Sequence, residues 1–378
     1  MAEQLTWTTL RELAGFRSEG GCAISLYLDL DPADSPTPTA VDTRVNSLLS
    51  EAEKAAEARH DELSHAEREG LKRDFARIRE FFDNEFSREG ARGLAVFVSG
   101  DFFRPVPVAG SVPDDVQVGR GFHLAPLAQL VGRDDGAIVA FIGRERGQVF
   151  RLRAGRLDEI VDRSEDQPGR HDQGGISQSR HQRHFEKLVA EHLKEVASEL
   201  DRAVRRVHTP KVVVVGSEET RSEFLDTLPH EVKSVVVGTT EAEAHTGPSE
   251  LLELVQPLLE EAEAAEEHDV LERWREEVGT NGRAASGWAD TLTAASDSRV
   301  ELLLHQEGAD RPAHECPQCG RASLEAGECP LDGTSLEPRD SAFDLAVRQT
   351  LLHGGSLLEV RHQVDLASAD GVGALLRF

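Results

Sequence analysis

The stretch FEKLVAEHLKEVASELDRAVRRVHTPKVVVVGS, from Phe185 to Ser217, determines the fold class of the central part of this chain. Apolar residues recur every three or four positions in its first part, which predicts an amphipathic helix from about Ser177 to Val207. The run KVVVV after it is continuous and β-branched, which is typical of a strand buried on both faces. A helix that leads into a buried strand predicts an α/β unit. The apolar stripe consists of Phe185, Leu188, Val189, His192, Leu193, Val196, Leu200 and Val204.

The same alternation of strands and helices extends over the rest of the chain, so we predict an α/β (α+β) protein. Strand patterns cover Cys22–Pro32, Gly93–Gly100 and Val232–Gly238, and a meander of strands turns at GRERG and AGR. Helical patterns cover Val41–Arg59, His65–Glu89, Gly287–Ala295 and Ser341–Leu352, and helical sequence also follows Pro248. We expect three domains: an N-terminal α/β domain (1–130), a central domain (131–266) and a C-terminal α/β domain (267–378) with a cysteine-rich insertion at 314–338.

Charge limits the classes of partner that the whole surface fits. The chain has 378 residues with 69 Asp and Glu against 42 Lys and Arg, a net charge of −27. Extensive wrapping of nucleic acid needs dense basic charge, so only a local RNA contact is expected. Neither a signal peptide nor an apolar stretch of roughly 20 residues is present, which predicts a cytoplasmic protein with no membrane partner.

The local exception to the acidic composition is GGISQSRHQRH, Gly174 to His184, at the start of the predicted central helix. Gly174 and Gly175 allow a sharp bend, and Ser177 is a suitable N-cap. Helix-start amides beside several basic residues favour a phosphate or a developing oxyanion. Gln178 adds a neutral amide that donates to a carbonyl or accepts from water. A solvated surface loop is the other interpretation, because glycine-rich stretches before helices are common. The basic residues are Arg170, His171, Arg180, His181, Arg183 and His184.

Three of the four cysteines form a second motif, HECPQCGRASLEAGECPLDG. Cys316-Pro-Gln-Cys319-Gly and Cys329-Pro-Leu-Asp332-Gly have the form of two zinc-ribbon knuckles, the tight turns that present metal ligands. A structural zinc ion needs four ligands, so Asp332 or His314 would join the three thiolates. The other interpretation is a degenerate ribbon that has lost its metal. Cys22 stands apart and is expected to be a small buried residue.

These two motifs and the order of elements resemble the archaeo-eukaryotic class-one release factor family, which includes Pelota-like members. The family loop reads close to Gly-Gly-Gln-Ser-Ala-x-Arg, whereas this chain has GGISQSR, with Ile176 where glutamine is expected and Gln178 two residues later. That departure resembles the Vms/ANKZF-like branch, whose loop reads roughly Gly-x-x-Gln. CPLDG and the ending ADGVGALLRF resemble bacterial members, among them the branch typified by Balon.

The resemblance implies a three-domain release-factor architecture, with an RNase H-like central domain that carries the Gly-Gly loop and a zinc ribbon in the C-terminal domain. It implies hydrolysis of peptidyl-tRNA on stalled ribosomes or large subunits. No stop-codon-reading motif such as Asn-Ile-Lys-Ser is found, so the activity would be independent of the stop codon. The implied site residues are Gly174, Gly175 and Gln178 for catalysis, Arg170, Arg180, His181, Arg183 and His184 for RNA binding, and Cys316, Cys319, Cys329 and Asp332 for zinc.

The alternative function is a non-catalytic hibernation factor that occupies the A site of idle ribosomes, with the loop as a plug. In either case the expected partners are the ribosome, at its peptidyl-transferase centre and A site, and tRNA or ribosomal RNA. A translational GTPase is a further partner that the resemblance allows.

Overall fold

The chain divides into two compact units, which we describe separately. Unit 1 consists of Met1–Arg133 with Glu267–Phe378, and unit 2 consists of Asp134–Glu266. The computed structural model describes residues 5–18, 21–31, 37–58, 63–88, 91–108, 110–134, 136–144, 146–153, 155–164, 178–207, 210–362 and 365–378. Side chains are described for these residues except 132–134, 153, 164, 178–186 and 365.

The N-terminal part of unit 1 is a four-stranded antiparallel sheet covered by helices. Its strand order is β3-β2-β1-β4, with Leu26 opposite Val96 and Val116. Both faces of β1 are buried, because α2 and α3 cover one of them and further apolar side chains of unit 1 cover the other. The elements are α1 (Trp7–Ala14), β1 (Ala23–Asp29), α2 (Pro38–Ala58), α3 (His65–Asn84), β2 (Gly93–Ser99), β3 (Phe102–Val108), β4 (Asp115–Gly119) and α4 (Ala125–Asp134).

Unit 2 is a five-stranded mixed sheet in the order β7-β6-β5-β8-β9. Strands β5, β6 and β7 form the predicted antiparallel meander, and β8 and β9 continue the sheet parallel to β5. Helix α5 packs on one face and the first part of α8 on the other. The elements are β5 (Ala137–Ile142), β6 (Arg146–Arg153), β7 (Arg156–Ser164), α5 (Gln178–Val204), β8 (Lys211–Val215), α6 (Glu218–Thr227), α7 (His230–Lys233), β9 (Val236–Thr240) and α8 (Pro248–Gly279).

The C-terminal part of unit 1 contains a mixed sheet in the order β10-β16-β11-β15 and a small cysteine-bearing sheet in the order β13-β12-β14. β11 and β15 are parallel, and the helix α10 connects them. The elements are β10 (Ala284–Ser286), α9 (Gly287–Ser296), β11 (Val300–Gln306), β12 (Ala313–Glu315), β13 (Ala322–Ser323), β14 (Glu337–Arg339), α10 (Ala342–Leu352), β15 (Ser356–Val360), a 3₁₀ turn (Asp365–Ala369) and β16 (Val372–Leu376).

The two parts of unit 1 share one hydrophobic core. Leu10 and Leu13 of α1 belong to the same buried cluster as Phe97 of β2 and as Trp288 and Leu351 of the C-terminal part. The helices and strands of both units confirm the predicted mixed α/β class. The segments expected as the first and third domains lie in a single compact unit. The three-domain division stays a prediction.

One predicted strand is wrong in its first half. The pattern VKSVVVG predicted a buried strand over Val232–Gly238, but Val232 and Lys233 close the short helix α7, which begins after Pro229. Val232 is buried against the core from that helical turn. Strand β9 begins at Val236 and lies at the edge of the sheet, and its residues alternate between half-buried and exposed positions. An edge strand has no neighbouring strand along one row of its backbone N–H and C=O groups. A continuous apolar run in the sequence does not reveal that position.

Within the described parts of the chain, no helix combines the length and the apolar character that crossing a bilayer requires.

Candidate functional site

The predicted catalytic loop lies at the start of α5, and much of it falls outside the described residues. The residues outside the description include Arg170, Gly174 and Gly175. Helix α5 begins at Gln178, one residue after the predicted N-cap. The structure gives the backbone of this first turn as helical, and the side chains of Gln178, Arg180, His181, Arg183 and His184 also lie outside its description.

The rest of α5 is held against the sheet by apolar contacts. Val189, Leu193, Val196 and Leu200 are buried at helical spacing and face the strands of unit 2. The helix comes so close to β6 that a Cβ atom built on Gly147 would lie 2.3 Å from Val196 Cγ2. Glycine at this position is therefore what allows α5 to lie on the sheet.

The cysteine motif forms a compact cluster of metal-binding side chains in unit 1. The ligand atoms of Cys316, Cys319, Cys329 and Asp332 all lie within 4.8 Å of one another. The Cys319 and Cys329 sulfurs are 3.5 Å apart, and Cys316 Sγ lies 3.4 Å from Asp332 Oδ2. Zinc bonds of about 2.3 Å to sulfur and about 2.0 Å to oxygen place tetrahedral ligands roughly 3.3–3.8 Å apart. The donor set therefore suits a tetrahedral metal ion, and these two pairs of ligand atoms have the spacing that such an ion requires.

Two turns of equivalent geometry build this cluster. In the first knuckle, residues 316–320, the Gly320 amide donates to the Cys316 carbonyl at 2.9 Å. In the second knuckle, residues 329–333, the Gly333 amide donates to the Cys329 carbonyl at the same distance. Gly320 and Gly333 have φ of 80° and 72°, a conformation that glycine adopts at little cost. The repeated Cys-Pro-x-x-Gly pattern is thus a repeated turn.

Asp332 and His314 were the two candidates for the fourth ligand, and the structure places only Asp332 with the three cysteines. The His314 ring lies on β12 with its Nδ1 3.3 Å from the Leu324 carbonyl. The Thr334 amide donates to the Asp332 carboxylate at 2.9 Å and holds the pKa of Asp332 down at about 2. Cys319 is exposed at the surface of the cluster, but desolvation beside the other sulfurs raises the pKa of its thiol to about 12. A metal ion must displace such thiol protons, so its affinity will depend on pH.

A buried ionic network lies directly behind the first knuckle. The Glu315 carboxylate, 1% exposed, pairs with Arg17, Arg339 and Arg348. Arg17 and Arg339 each donate to it at 2.9 Å. A carboxylate removed from water is tolerated where such charged donors satisfy it.

Sequence reasoning missed this network. Glu315 stands beside Cys316 in the motif, which is a signal that it supports the metal site. Its partners Arg17 and Arg348 are separated from it by 298 and 33 residues, so spacing along the chain does not reveal them.

The second knuckle has no comparable support among the described residues. Leu331 at its tip is 71% exposed, and Pro330, Asp332 and Gly333 are exposed as well. The residues on either side of this knuckle are joined by an isolated antiparallel β-bridge between Glu328 and Ser335. The cluster therefore has one knuckle anchored in the body of unit 1 and one that projects from it.

Comparison with known proteins finds a family model that is similar to the central part of the chain. Residues 123–277 match Bacterial archaeo-eukaryotic release factor family 10. Peptide chain release factor subunit 1 of Methanopyrus kandleri is 28% identical over 213 residues, which cover 54% of this chain and 51% of that protein. The Archaeoglobus fulgidus protein of the same name is 27% identical over 209 residues, covering 53% and 51%. The chain thus aligns with about half the length of these curated relatives.

Among solved structures, Archaeoglobus fulgidus Pelota aligns over 100% of this chain and 94% of its own, with 15% identity and a TM-score of 0.32.

Proposed function

Because the central part of the chain matches a bacterial archaeo-eukaryotic release factor family and the chain aligns with archaeal release factor subunit 1 proteins, we propose that it belongs to that superfamily and is a ribosome-associated translation factor that hydrolyses peptidyl-tRNA without reading a stop codon. The observation that carries this proposal is where the family match falls. Residues 123–277 include the Gly174–Gly175 pair and the whole of α5, which begins at Gln178.

In this proposal the ester bond of peptidyl-tRNA is cleaved by a positioned water molecule. Gly174 and Gly175 let the loop enter the peptidyl-transferase centre, and the Gln178 amide orients the water against the ester carbonyl. A glutamine amide is neutral and takes no proton, so its contribution is orientation rather than general-base catalysis. Amides at the start of α5 stabilise the oxyanion that forms.

The basic residues around this loop are proposed to bind RNA. Arg180 and Arg183 would contact phosphates of tRNA or ribosomal RNA, together with Arg170, His181 and His184. The net charge of −27 opposes RNA binding over the rest of the surface and restricts it to this region. A translational GTPase is a further proposed partner, and the proposed substrate places the activity in the cytoplasm.

We propose zinc as the metal of the cysteine cluster, with Cys316, Cys319, Cys329 and Asp332 as its ligands. Closed sites with four protein ligands are structural, so the ion would stabilise the fold and take no part in hydrolysis. Substitution with Co²⁺ tests the ligand set, because thiolate-to-cobalt charge-transfer absorption scales with the number of thiolates. We expect the intensity of three thiolates. Intensity at the level of two or fewer would contradict this ligand set.

A hibernation role is the second candidate, and one residue favours it. Ile176 stands where the family pattern has its glutamine, so the loop could occupy the A site of an idle ribosome without reaching an ester.

The experiment that separates these two functions combines binding and release on the same complexes. Purified stalled ribosomal complexes with labelled peptidyl-tRNA are mixed with the wild-type chain, Gly175→Ala, or the control Gly247→Ala. Nothing lies within 4 Å of a Cβ on Gly247. We expect release by the wild type and Gly247→Ala, and loss of release in Gly175→Ala. Cosedimentation of the wild type with idle ribosomes, without release from stalled ones, would reject hydrolysis in favour of hibernation.

A further inference from the structure

The N-terminal segment Leu5–Ser18 contacts the first knuckle through Arg17. The Arg17 guanidinium donates to Glu315 Oε1 at 2.9 Å and to the Cys316 carbonyl at 3.3 Å. It also fills the space beside Gly320, where an added Cβ would lie 2.0 Å from Arg17 Nη1. One side chain from the start of the chain therefore packs on both ends of the turn that carries Cys316 and Cys319.

Helix α10 holds the same turn from a second direction. Arg348 pairs with Glu315, and Gln349 donates to the Gly320 carbonyl at 2.7 Å. Helix α1 of the N-terminal segment lies in the same core as α10, through Leu10, Leu13 and Leu351. The position of Arg17 thus depends on how α1 packs.

The arginine network around Glu315 and the metal-loaded cysteine cluster carry opposite charges. Glu337 also pairs with Arg339, so three guanidinium groups and two carboxylates carry 3 − 2 = +1. A divalent ion with three thiolates and one carboxylate would carry 2 − 4 = −2. With the metal bound, the net positive arginine network faces a net negative site at short range. Without it, the arginines are paired with the carboxylates of Glu315 and Glu337.

On the premise that the cluster binds zinc as proposed above, we infer that zinc binding and the docking of segment Leu5–Ser18 are coupled, with Arg17 and Glu315 as positioning residues. Coupling between two binding events is reciprocal. A substitution that weakens the docking must therefore lower the zinc affinity, and removal of zinc must loosen the docking by the same factor.

The first test measures the zinc affinity of the full chain by competition with a chromophoric chelator. Arg17→Met keeps the aliphatic bulk and removes the charge. The matched control is Glu12→Gln in the same segment, which removes an ion pair with Arg104 of β3. We expect Arg17→Met to raise the Kd for Zn²⁺ about tenfold or more, as outer-shell substitutions do, and Glu12→Gln to leave it unchanged. Equal affinities for the wild type and Arg17→Met would overturn the coupling.

The second test measures hydrogen exchange of residues 5–18 with and without Zn²⁺, using the wild-type chain. Chelation should speed their exchange by about the factor found for the affinity, while β5 and β8 of unit 2 stay unchanged. Identical protection of residues 5–18 in both states would overturn the coupling with the zinc site intact. A wild-type chain that binds no Zn²⁺ would reject the zinc proposal itself, and the two failures are thus distinguishable.

Discussion

The cysteine cluster and the start of α5 are the two polar motifs of this chain, and they are supported in opposite ways. The cluster is backed by a buried carboxylate with three arginine partners and by a side chain from the beginning of the chain. Helix α5 is anchored by a buried apolar stripe, whose first member among the residues with described side chains is Val189. The sequence QSRHQRH before Phe185 contains no apolar residue. A polar motif tied into the fold is suited to a structural role, and we propose that the polar start of α5 binds a partner.

The largest effect should come from breaking the cluster itself. We expect Cys319→Ala to abolish zinc binding and to destabilise unit 1 by several kcal/mol, because the binding energy of a structural metal is folding energy. Zinc content by mass spectrometry and urea unfolding followed by tryptophan fluorescence check this. Trp7, Trp274 and Trp288 are the three tryptophans, and all lie in unit 1, so the fluorescence signal is specific to it. The control Cys22→Ala should keep its zinc, and zinc retained in Cys319→Ala would exclude Cys319 as a ligand.

A somewhat smaller effect should follow from removing the central carboxylate of the network. Glu315→Gln leaves three guanidinium groups without their common counter-charge, which costs about 3–5 kcal/mol for a buried pair that loses one partner. The same fluorescence-detected unfolding measures it. Glu325→Gln, at an exposed position of the ribbon, should change stability by less than about 0.5 kcal/mol. Similar values for both variants would mean that the network does not hold the knuckle.

The anchoring of α5 on the sheet can be tested at the close approach of Gly147 to Val196. We expect Gly147→Val to force the helix away from β6 and to destabilise unit 2 by about 1–3 kcal/mol, as overpacking does. Hydrogen exchange of the β5 and β8 amides is the measurement, because unit 2 contains no tryptophan. Zinc content should be unaffected. Unchanged exchange would show that α5 does not depend on this close approach.

The smallest effect concerns pH and a half-buried histidine of unit 1. Burial acts to lower the pKa of His123, but Asp344, whose Oδ1 is 2.9 Å from its Nδ1, outweighs burial and, with Asp115 and Asp310, raises that pKa. A group whose pKa is raised on folding contributes its full stability below the unfolded value of about 6.5 and loses it as pH rises through the folded value. Wild-type stability should therefore fall on going from pH 6 to pH 9, by on the order of 1 kcal/mol from this pair.

His123→Gln should remove this part of the pH dependence, and the difference between the two proteins in tryptophan-detected unfolding measures it. Parallel pH profiles for the two proteins would mean that the pair with Asp344 does not stabilise the fold.

Local patterns in the sequence predicted most of the regular elements. The continuous apolar runs became β2 and β8, and the helical periodicities became α2, α3, α5, α9 and α10. Helix α1 and strand β16 were not predicted. β16 lies between β10 and β11 and is fully buried, but its sequence VGALL is short and contains Gly373, on which Trp274 packs closely. Such a strand is specified by its neighbours rather than by its own pattern.

The candidate sites show the same division between local and distant information. The four residues of the cluster lie within 17 positions of one another, and two repeated turns are sufficient to bring them together. The network around Glu315 depends on the folding of α1 and α10 around the ribbon, which no local pattern encodes. For the α5 motif, the sequence predicted where the helix begins, and the roles of Gln178 and its basic neighbours stay predictions.

We propose that the chemistry belongs to the start of α5 and that the cysteine cluster is structural. The most direct test is single-turnover release of labelled peptide from purified stalled ribosomal complexes by the wild type, Gln178→Ala and Arg17→Met in parallel. We predict that Gln178→Ala loses at least about 100-fold in rate, as loss of a positioning group does, and that Arg17→Met stays within about threefold of the wild type. Release by Gln178→Ala at the wild-type rate would contradict the role of Gln178 in hydrolysis.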